Sequence, residues 1–239
     1  MRELYLKQFI ITLHLNTQSK MLATHDSLTG YPVKYFLLKP FNFMAQCQSK
    51  NLVAQFDAGA RSFDLRFAKH RGKWHAAHGA MLYKVTLEES LNILMKLSKV
   101  EPLYFRILCE DSFYRKSNHK ELYNTIVNYL SDKRHNLKLL YVASKRKWDW
   151  ITTEFTNATE NYDVWPPLKN TAENLCQLTV RMYELETTND KVNFICCYNC
   201  AGIPWLFGLP FPKVVAKTLT PIALKKKWKD NDCPVVDFI

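Results

Sequence analysis

The strongest constraint on the fold is the spacing of short apolar runs along the chain. "YFRILCE" (104–110), "LKLLYVA" (137–143) and "VNFICCYN" (192–199) are almost continuously apolar. Such runs read as strands buried on both faces, the pattern of a parallel sheet covered by helices. "MLAT" (21–24), "SFDLRFA" (62–68), "KWHAAH" (73–78) and "CPVVDFI" (233–239) complete the candidate strands. Amphipathic segments lie between them. "SKNLVAQFDAGA" (49–60) starts at a Ser cap and places Leu52, Val53 and Phe56 on one face. "TLEESLNILMKLSKV" (86–100) has Thr86 followed three residues later by Glu89, a capping box, and an apolar stripe of Leu87, Leu91, Leu94 and Leu97. "HKELYNTIVNYLSDK" (119–133) and "NTAENLCQLTVRMYELE" (170–186) follow the same pattern. Strands spread over most of the chain, alternating with helices, point to a closed barrel.

A chain of 239 residues, 47% of them hydrophobic, is enough for one large domain with a substantial core. No uninterrupted apolar stretch of about 18 residues is present, so no transmembrane helix is expected. The N-terminal "MRELYLKQFIITLHLNTQSK" has an apolar patch limited by Lys7 and His14 and lacks a small-residue cleavage site. It is expected to be part of the fold rather than a signal peptide. The net charge of +11 favours an anionic partner. The runs "SKRKW" (144–148) and "LKKKWKD" (224–230) read as solvated surface lysines. Without zinc-finger spacing or an RNP-type motif, nucleic acid is not the expected partner. The seven cysteines include "CCYNC" (196–200), but no second CxxC or His pair lies nearby. Buried thiols in a reducing compartment are the expectation there, not a zinc site.

In parallel barrels the reacting side chains sit at the C-terminal ends of strands. His25-Asp26, Arg66, His78, Glu110 and Asp237 all lie in the last turn of a candidate strand or just after it. Five strands therefore send chemically useful side chains toward one rim. His75 is offset from His78 by three residues, so it faces the other side and is read as structural.

These stretches carry a family resemblance. "ATHDSLTG" resembles the "GTHDS" signature of phosphatidylinositol-specific phospholipase C X domains. "AQCQSKNLVAQFDAGARSFDLRF" (45–67), "HAAHGAM" (75–81) and "VVDFI" (235–239) are similar to that family's helix entry, Arg-containing second strand, "HG" strand end and Asp-containing last strand, in the same order. The resemblance implies an α/β fold: a single (β/α) barrel of TIM type over residues 1–239, irregular or incompletely closed. Arg66 stands where calcium-dependent members carry a second acidic metal ligand. A guanidinium repels a divalent cation and can itself neutralise a phosphate. The sequence therefore looks like the metal-independent branch, bacterial or small X-domain-only, with no cofactor implied.

That family's reaction is an internal phosphodiester cleavage in which the inositol 2-hydroxyl attacks the neighbouring phosphate and expels diacylglycerol. By resemblance, His25 is the general base, His78 the general acid and Arg66 the phosphate clamp. Asp237 orients His25, Asp26 assists His78, and Asp64 orients Arg66. As neighbours in extended chain, His25 and Asp26 are not expected to pair with each other. Glu110 is a candidate for inositol hydroxyls, and Arg181 and Tyr183 in "LTVRMYELE" (178–186) are the nearest counterparts of the head-group site. Trp205, Leu206 and Phe207 form an apolar loop suited to a membrane interface. The expected setting is a monomer in the cytoplasm, peripheral at a membrane, with a phospholipid substrate. The alternatives are an inactive lipid- or inositol-phosphate-binding protein on the same barrel, and a metal-dependent glycerophosphodiesterase, against which Arg66 argues.

Overall fold

A computed structural model of the chain describes residues 21–110, 113–114, 117–131, 136–143, 159–162, 179–180, 182–184, 186, 192–197 and 211–239. In chain order the strands are β1 (Ala23–Thr24), β2 (Ser62–His70), β3 (Lys73–His78), β4 (Met81–Thr86), β5 (Leu103–Cys109), β6 (Leu137–Ala143), β7 (Thr159–Tyr162), β8 (Val192–Cys196) and β9 (Asp232–Val236). The helices are α1 (Leu52–Asp57), α2 (Leu87–Leu97), α3 (His119–Ser131) and α4 (Pro212–Lys225), with 3-10 segments at Ser27–Gly30 and Phe36–Met44.

Seven strands run parallel in the order β6-β5-β2-β1-β9-β8-β7. The sheet curls into an open half-barrel, and β6 and β7 are not paired with each other among the described residues. Strands β3 and β4 form an antiparallel hairpin appended to β2. Phe67 pairs with Cys109 on one edge and Ala76 on the other, so the hairpin lies on the same edge of β2 as β1 and continues beyond it. Its turn is tight, with His78 opposite Met81 and Gly79 at φ 56°, a left-handed conformation that glycine adopts without penalty.

Strand alternation sorts the two faces of the sheet. In β2, Phe63, Leu65 and Phe67 pack outward with Leu91 and Leu94 of α2 and Leu122 and Ile126 of α3, together with Phe105 and Ile107 of β5. Ser62, Asp64 and Arg66 are left for the inside of the curl, and Arg106 of β5 is level with Asp64. A second core joins Ile195 of β8, Val236 of β9 and Val215 and Leu219 of α4. The outside of the half-barrel is held by hydrophobic burial; its inside is polar and charged.

The expected capping box of α2 is present, with Thr86 and Glu89 exchanging side-chain and backbone hydrogen bonds. Helix α1 is shorter than its periodicity suggested and is capped by Asn51, whose side chain accepts from the Ala54 N–H. Val53 is exposed there while Gln55 is buried, the reverse of the expected face. Gln55 turns inward because its amide donates to the carbonyls of Ser27 and Lys50. The helix expected at 170–186 lies largely outside the described residues, as do Arg181 and the Trp205, Leu206, Phe207 loop.

Candidate active site

Register places the first group of side chains. Thr24 pairs with Phe63 of β2 and with Val236 of β9, so His25, Asp64 and Asp237 emerge near one level on three adjacent strands. The His25 N–H donates to the Val236 carbonyl at 2.9 Å. His25 Nδ1 lies 2.8 Å from Asp237 Oδ1, and both side chains are buried. Gln48 clamps this seam, its amide nitrogen donating to the carbonyls of His25 (3.1 Å) and Val236 (2.9 Å). The Thr220 hydroxyl of α4 donates to the Asp237 carbonyl at 2.6 Å.

Asp26 corrects one expectation. Its φ of 43° and ψ of 51° are left-handed, a conformation Asp tolerates better than most residues. The chain does not stay extended there, and the Asp26 side chain turns back toward its neighbour. Asp26 Oδ2 lies 3.4 Å from His25 Nε2 as well as 3.2 Å from His78 Nδ1. His25 and Asp26 therefore do face each other.

Arg66 occupies the centre. Its Nη2 is 2.6 Å from His25 Nε2, its Nε is 2.7 Å from Asp26 Oδ1, and its Nη2 donates to Asp64 Oδ2 at 3.0 Å. Glu110 Oε1 stands 3.7 Å from Nη1. Because Arg66 donates to His25 Nε2, that nitrogen carries the lone pair, and the His25 proton sits on Nδ1 toward Asp237. His25 is thus held as the neutral tautomer that can accept a proton.

His78 arrives by a different route from the one expected. It does not end a parallel barrel strand. It ends β3, which runs antiparallel to β2 and returns to the level of Arg66. Its Nδ1 is 2.7 Å from the Ala45 carbonyl, to which it donates, and 3.2 Å from Asp26 Oδ2. The two imidazoles stand edge to face with centroids 6.2 Å apart.

Charge balance inside the curl comes from groups that sequence reading missed. Arg106 is buried, its Nε 2.9 Å from Asp64 Oδ1 and its Nη2 donating to Asp64 Oδ2 at 3.0 Å. The signal for it was a lone Arg in an otherwise apolar run. Burial alone would raise the Asp64 carboxyl, but Arg106 and Arg66 hold it well below the usual carboxylate range. Burial pushes the Asp26 carboxyl up to about 7, against the pull of Arg66. Asp237 is pushed well above its ordinary value by burial and by Asp26. Burial and the Arg66 charge lower both His25 and His78, His25 strongly. Two guanidinium groups thus face the firmly ionised Asp64 carboxylate, and Glu110 also stands beside Arg66.

Cys47 is the other residue missed. Its Sγ is buried 3.7 Å from Asp26 Oδ2 and 3.8 Å from His78 Nδ1. His25, Asp26 and Cys47 bring ligand atoms within 4.8 Å of one another, so a metal ion is geometrically conceivable there. Tyr183 is not joined to the cluster among the described residues. Met182 is buried against the α4 core, so Tyr183, the next residue round the helical segment, points outward and is 65% exposed. The segment Phe36–Met44 exposes another apolar surface, with Phe36 at 82% and Leu37 at 81%, joined by the half-exposed Phe41 and Phe43. Phe43 stacks edge to face on Phe211, at the start of α4.

No family model and no curated protein matches this sequence. Solved structures do match. A phosphatidylinositol-specific phospholipase C from Listeria monocytogenes superposes with a TM-score of 0.63 at 16% identity, over 93% of this chain and 89% of that one. One from Staphylococcus aureus gives 0.62 at 16% identity, over 93% and 87%. The fold is that of bacterial phosphatidylinositol-specific phospholipase C. A further Staphylococcus aureus structure of this phospholipase, described for modulation of its membrane binding, matches with a TM-score of 0.58 at 16% identity, over 92% and 86%. The resemblance carried by "ATHDSLTG" and the later motifs therefore extends to the architecture. No described helix is long and apolar enough to cross a membrane.

Proposed function

We propose that this chain is a phosphodiesterase of the phosphatidylinositol-specific phospholipase C type, cleaving an inositol phospholipid to diacylglycerol and a cyclic inositol phosphate. The observation that carries the reading is the placement of one guanidinium between two differently anchored histidines. Arg66 touches His25 and Asp26, and His78 touches Asp26. This is the arrangement that intramolecular phosphoryl transfer needs.

In this reading the inositol 2-hydroxyl gives its proton to His25 Nε2 as its oxygen bonds to phosphorus. Arg66 turns from His25 to the phosphoryl oxygens and offsets their charge. The bond from phosphorus to the glycerol oxygen breaks, and His78 Nε2 protonates that oxygen. His78 Nδ1 is held by Ala45 and Asp26, which leaves Nε2 to face the substrate. Asp237 holds the His25 tautomer and stabilises the imidazolium that forms, as the acid does in other acid–His pairs. Glu110, beside Arg66, is assigned to inositol hydroxyls. These steps use no metal. The exposed Phe36, Leu37, Phe41 and Phe43, with Lys39 among them, are assigned to the membrane surface. The chain is proposed to act as a monomer, at the surface of a membrane facing the cytoplasm.

The test is release of cyclic inositol phosphate from phosphatidylinositol vesicles in excess chelator. Activity is expected to persist. Loss of activity to chelator, restored by calcium, would overturn the metal-free reading. A protein that binds these vesicles yet turns over no inositol lipid would favour the binding-protein alternative.

A further inference from the structure

Phosphodiester cleavage has no use for Cys47, yet its thiol is buried inside the reacting cluster. Three donor atoms form a compact triangle there. Cys47 Sγ is 3.7 Å from Asp26 Oδ2 and 3.8 Å from His78 Nδ1, and those two atoms are 3.2 Å apart. The Ala45 carbonyl oxygen closes the group, 2.7 Å from His78 Nδ1 and 3.7 Å from Cys47 Sγ.

The three edges of the Cys47, Asp26 and His78 triangle match those of a metal tetrahedron, whereas the Ala45 carbonyl, 2.7 Å from His78 Nδ1, must draw back to make room for an ion. Zinc–sulfur bonds of about 2.3 Å and zinc–nitrogen or zinc–oxygen bonds of about 2.0–2.2 Å imply edges of roughly 3.5 Å from sulfur and 3.3 Å between nitrogen and oxygen. The triangle needs adjustments of only a few tenths of an ångström. The donor set is selective as well. One thiolate, one imidazole and one carboxylate suit zinc and related borderline ions, whereas calcium and magnesium require oxygen ligands almost throughout.

We infer that Cys47, Asp26 and His78 form a binding site for a thiophilic divalent cation such as zinc, and that its occupation inhibits the enzyme. On binding, the Cys47 thiol proton leaves to solvent, together with any proton held by Asp26. The His78 Nδ1 proton, now donated to the Ala45 carbonyl, moves to Nε2, and Nδ1 binds the metal. A dication with a thiolate and a carboxylate is neutral overall, so Arg66, 2.7 Å from the other Asp26 oxygen, meets no net charge. The inhibitory half of the inference rests on the phospholipase reading, because it is the general acid and its partner that the metal immobilises. The site is distinct in role from a catalytic metal: chelation is expected to raise activity.

The experiment uses the full chain, stripped with chelator and titrated with cobalt(II). One equivalent is expected to produce a near-ultraviolet thiolate-to-cobalt absorption, abolished in Cys47→Ala and displaced by zinc. Zinc affinity in Cys47→Ala is expected to fall by more than the 10- to 100-fold typical of losing an outer-shell partner. The circular dichroism spectrum of the variant checks its fold. If Cys47→Ala misfolds, the wild-type spectrum alone still decides: no thiolate band overturns the site. A band that survives in folded Cys47→Ala belongs to other cysteines and also overturns it. Lipid cleavage unaffected by saturating zinc, with the cobalt band present, overturns the inhibition but leaves the site. No cleavage of any inositol lipid overturns the phospholipase reading, while the cobalt spectrum still decides the metal site.

Discussion

The two histidines of the site are anchored in opposite ways. His25 follows a parallel strand wedged between β2 and β9, is almost fully buried, and is tied through Asp237, Gln48 and the Val236 carbonyl. His78 sits at the tip of an antiparallel hairpin, is 24% exposed at its side chain, and is held by the Ala45 carbonyl and Asp26. The difference suits the tasks proposed for them. A base must present a fixed lone pair to a positioned hydroxyl, so rigidity helps it. An acid must reach a leaving group attached to a lipid, so an open edge helps it. The barrel wall supplies the first and the hairpin the second.

The sharpest way to break this contrast is to change the leaving group. His25→Ala is expected to lower turnover of phosphatidylinositol by about 10³-fold or more, and to do so equally on an inositol phosphodiester with a nitrophenyl leaving group. His78→Ala is expected to be as damaging on the lipid but to recover to within roughly tenfold of wild type on the aryl substrate, which needs little protonation. Equal losses for both variants on both substrates would remove the base–acid distinction. Next in size, Asp237→Asn is expected to cost about 10²-fold in kcat by releasing the His25 tautomer, with KM nearly unchanged. A change confined to KM would show that Asp237 acts on binding instead.

The pH profile sharpens the same comparison. His25 must be neutral, so kcat/KM rises as pH climbs through its strongly lowered pKa. His78 must be protonated, so kcat/KM falls as pH climbs through its own lowered pKa. Both limbs lie below the ordinary histidine value of about 6.5, and the maximum is expected on the acid side of it. A maximum above pH 7.5 would contradict the assignment. Stability should follow the carboxyls. Asp26 is raised to about 7, so its contribution is full at pH values below the ordinary Asp range and is lost as pH rises through 7. Thermal unfolding at pH 6 and 8.5 should show a decline that Asp26→Asn flattens. The smallest expected effect is on the surface: Phe36→Ser with Leu37→Ser should weaken binding to phosphatidylinositol vesicles roughly tenfold while sparing hydrolysis of a soluble substrate.

Much of this was legible in the sequence. The parallel strands announced themselves through unbroken apolar runs, and α2 through its capping box. The side chains His25, Asp26, Arg66, His78 and Asp237 were found because motifs in a fixed order mark them, and the structure brings them together. What failed has physical causes. β4 went unread because "MLYKVT" leads straight into the α2 cap without a turn between them. α4 went unread because Pro221 interrupts its interior, although Pro212 in its first turn is a start signal. β7, "TENY", carries no apolar pattern at all. Arg106 and Cys47 were hidden because their importance lies in contacts across strands and loops. Proximity of His25 to Asp26 depended on a left-handed backbone at Asp26, which strand alternation does not foresee.

The wedge of β1 between β2 and β9 has a consequence for how activity can arise. Its neighbours come from chain segments separated by most of the sequence, and the His25–Asp237 bond spans 212 positions. Closing such a loop is entropically costly and comes late relative to local contacts. His25, the proposed base, is therefore oriented only when both segments have met. A nascent chain or an N-terminal fragment could carry Arg66, His25 and His78 and still lack a held tautomer. If the phospholipase reading holds, turnover then serves as a reporter of completed assembly.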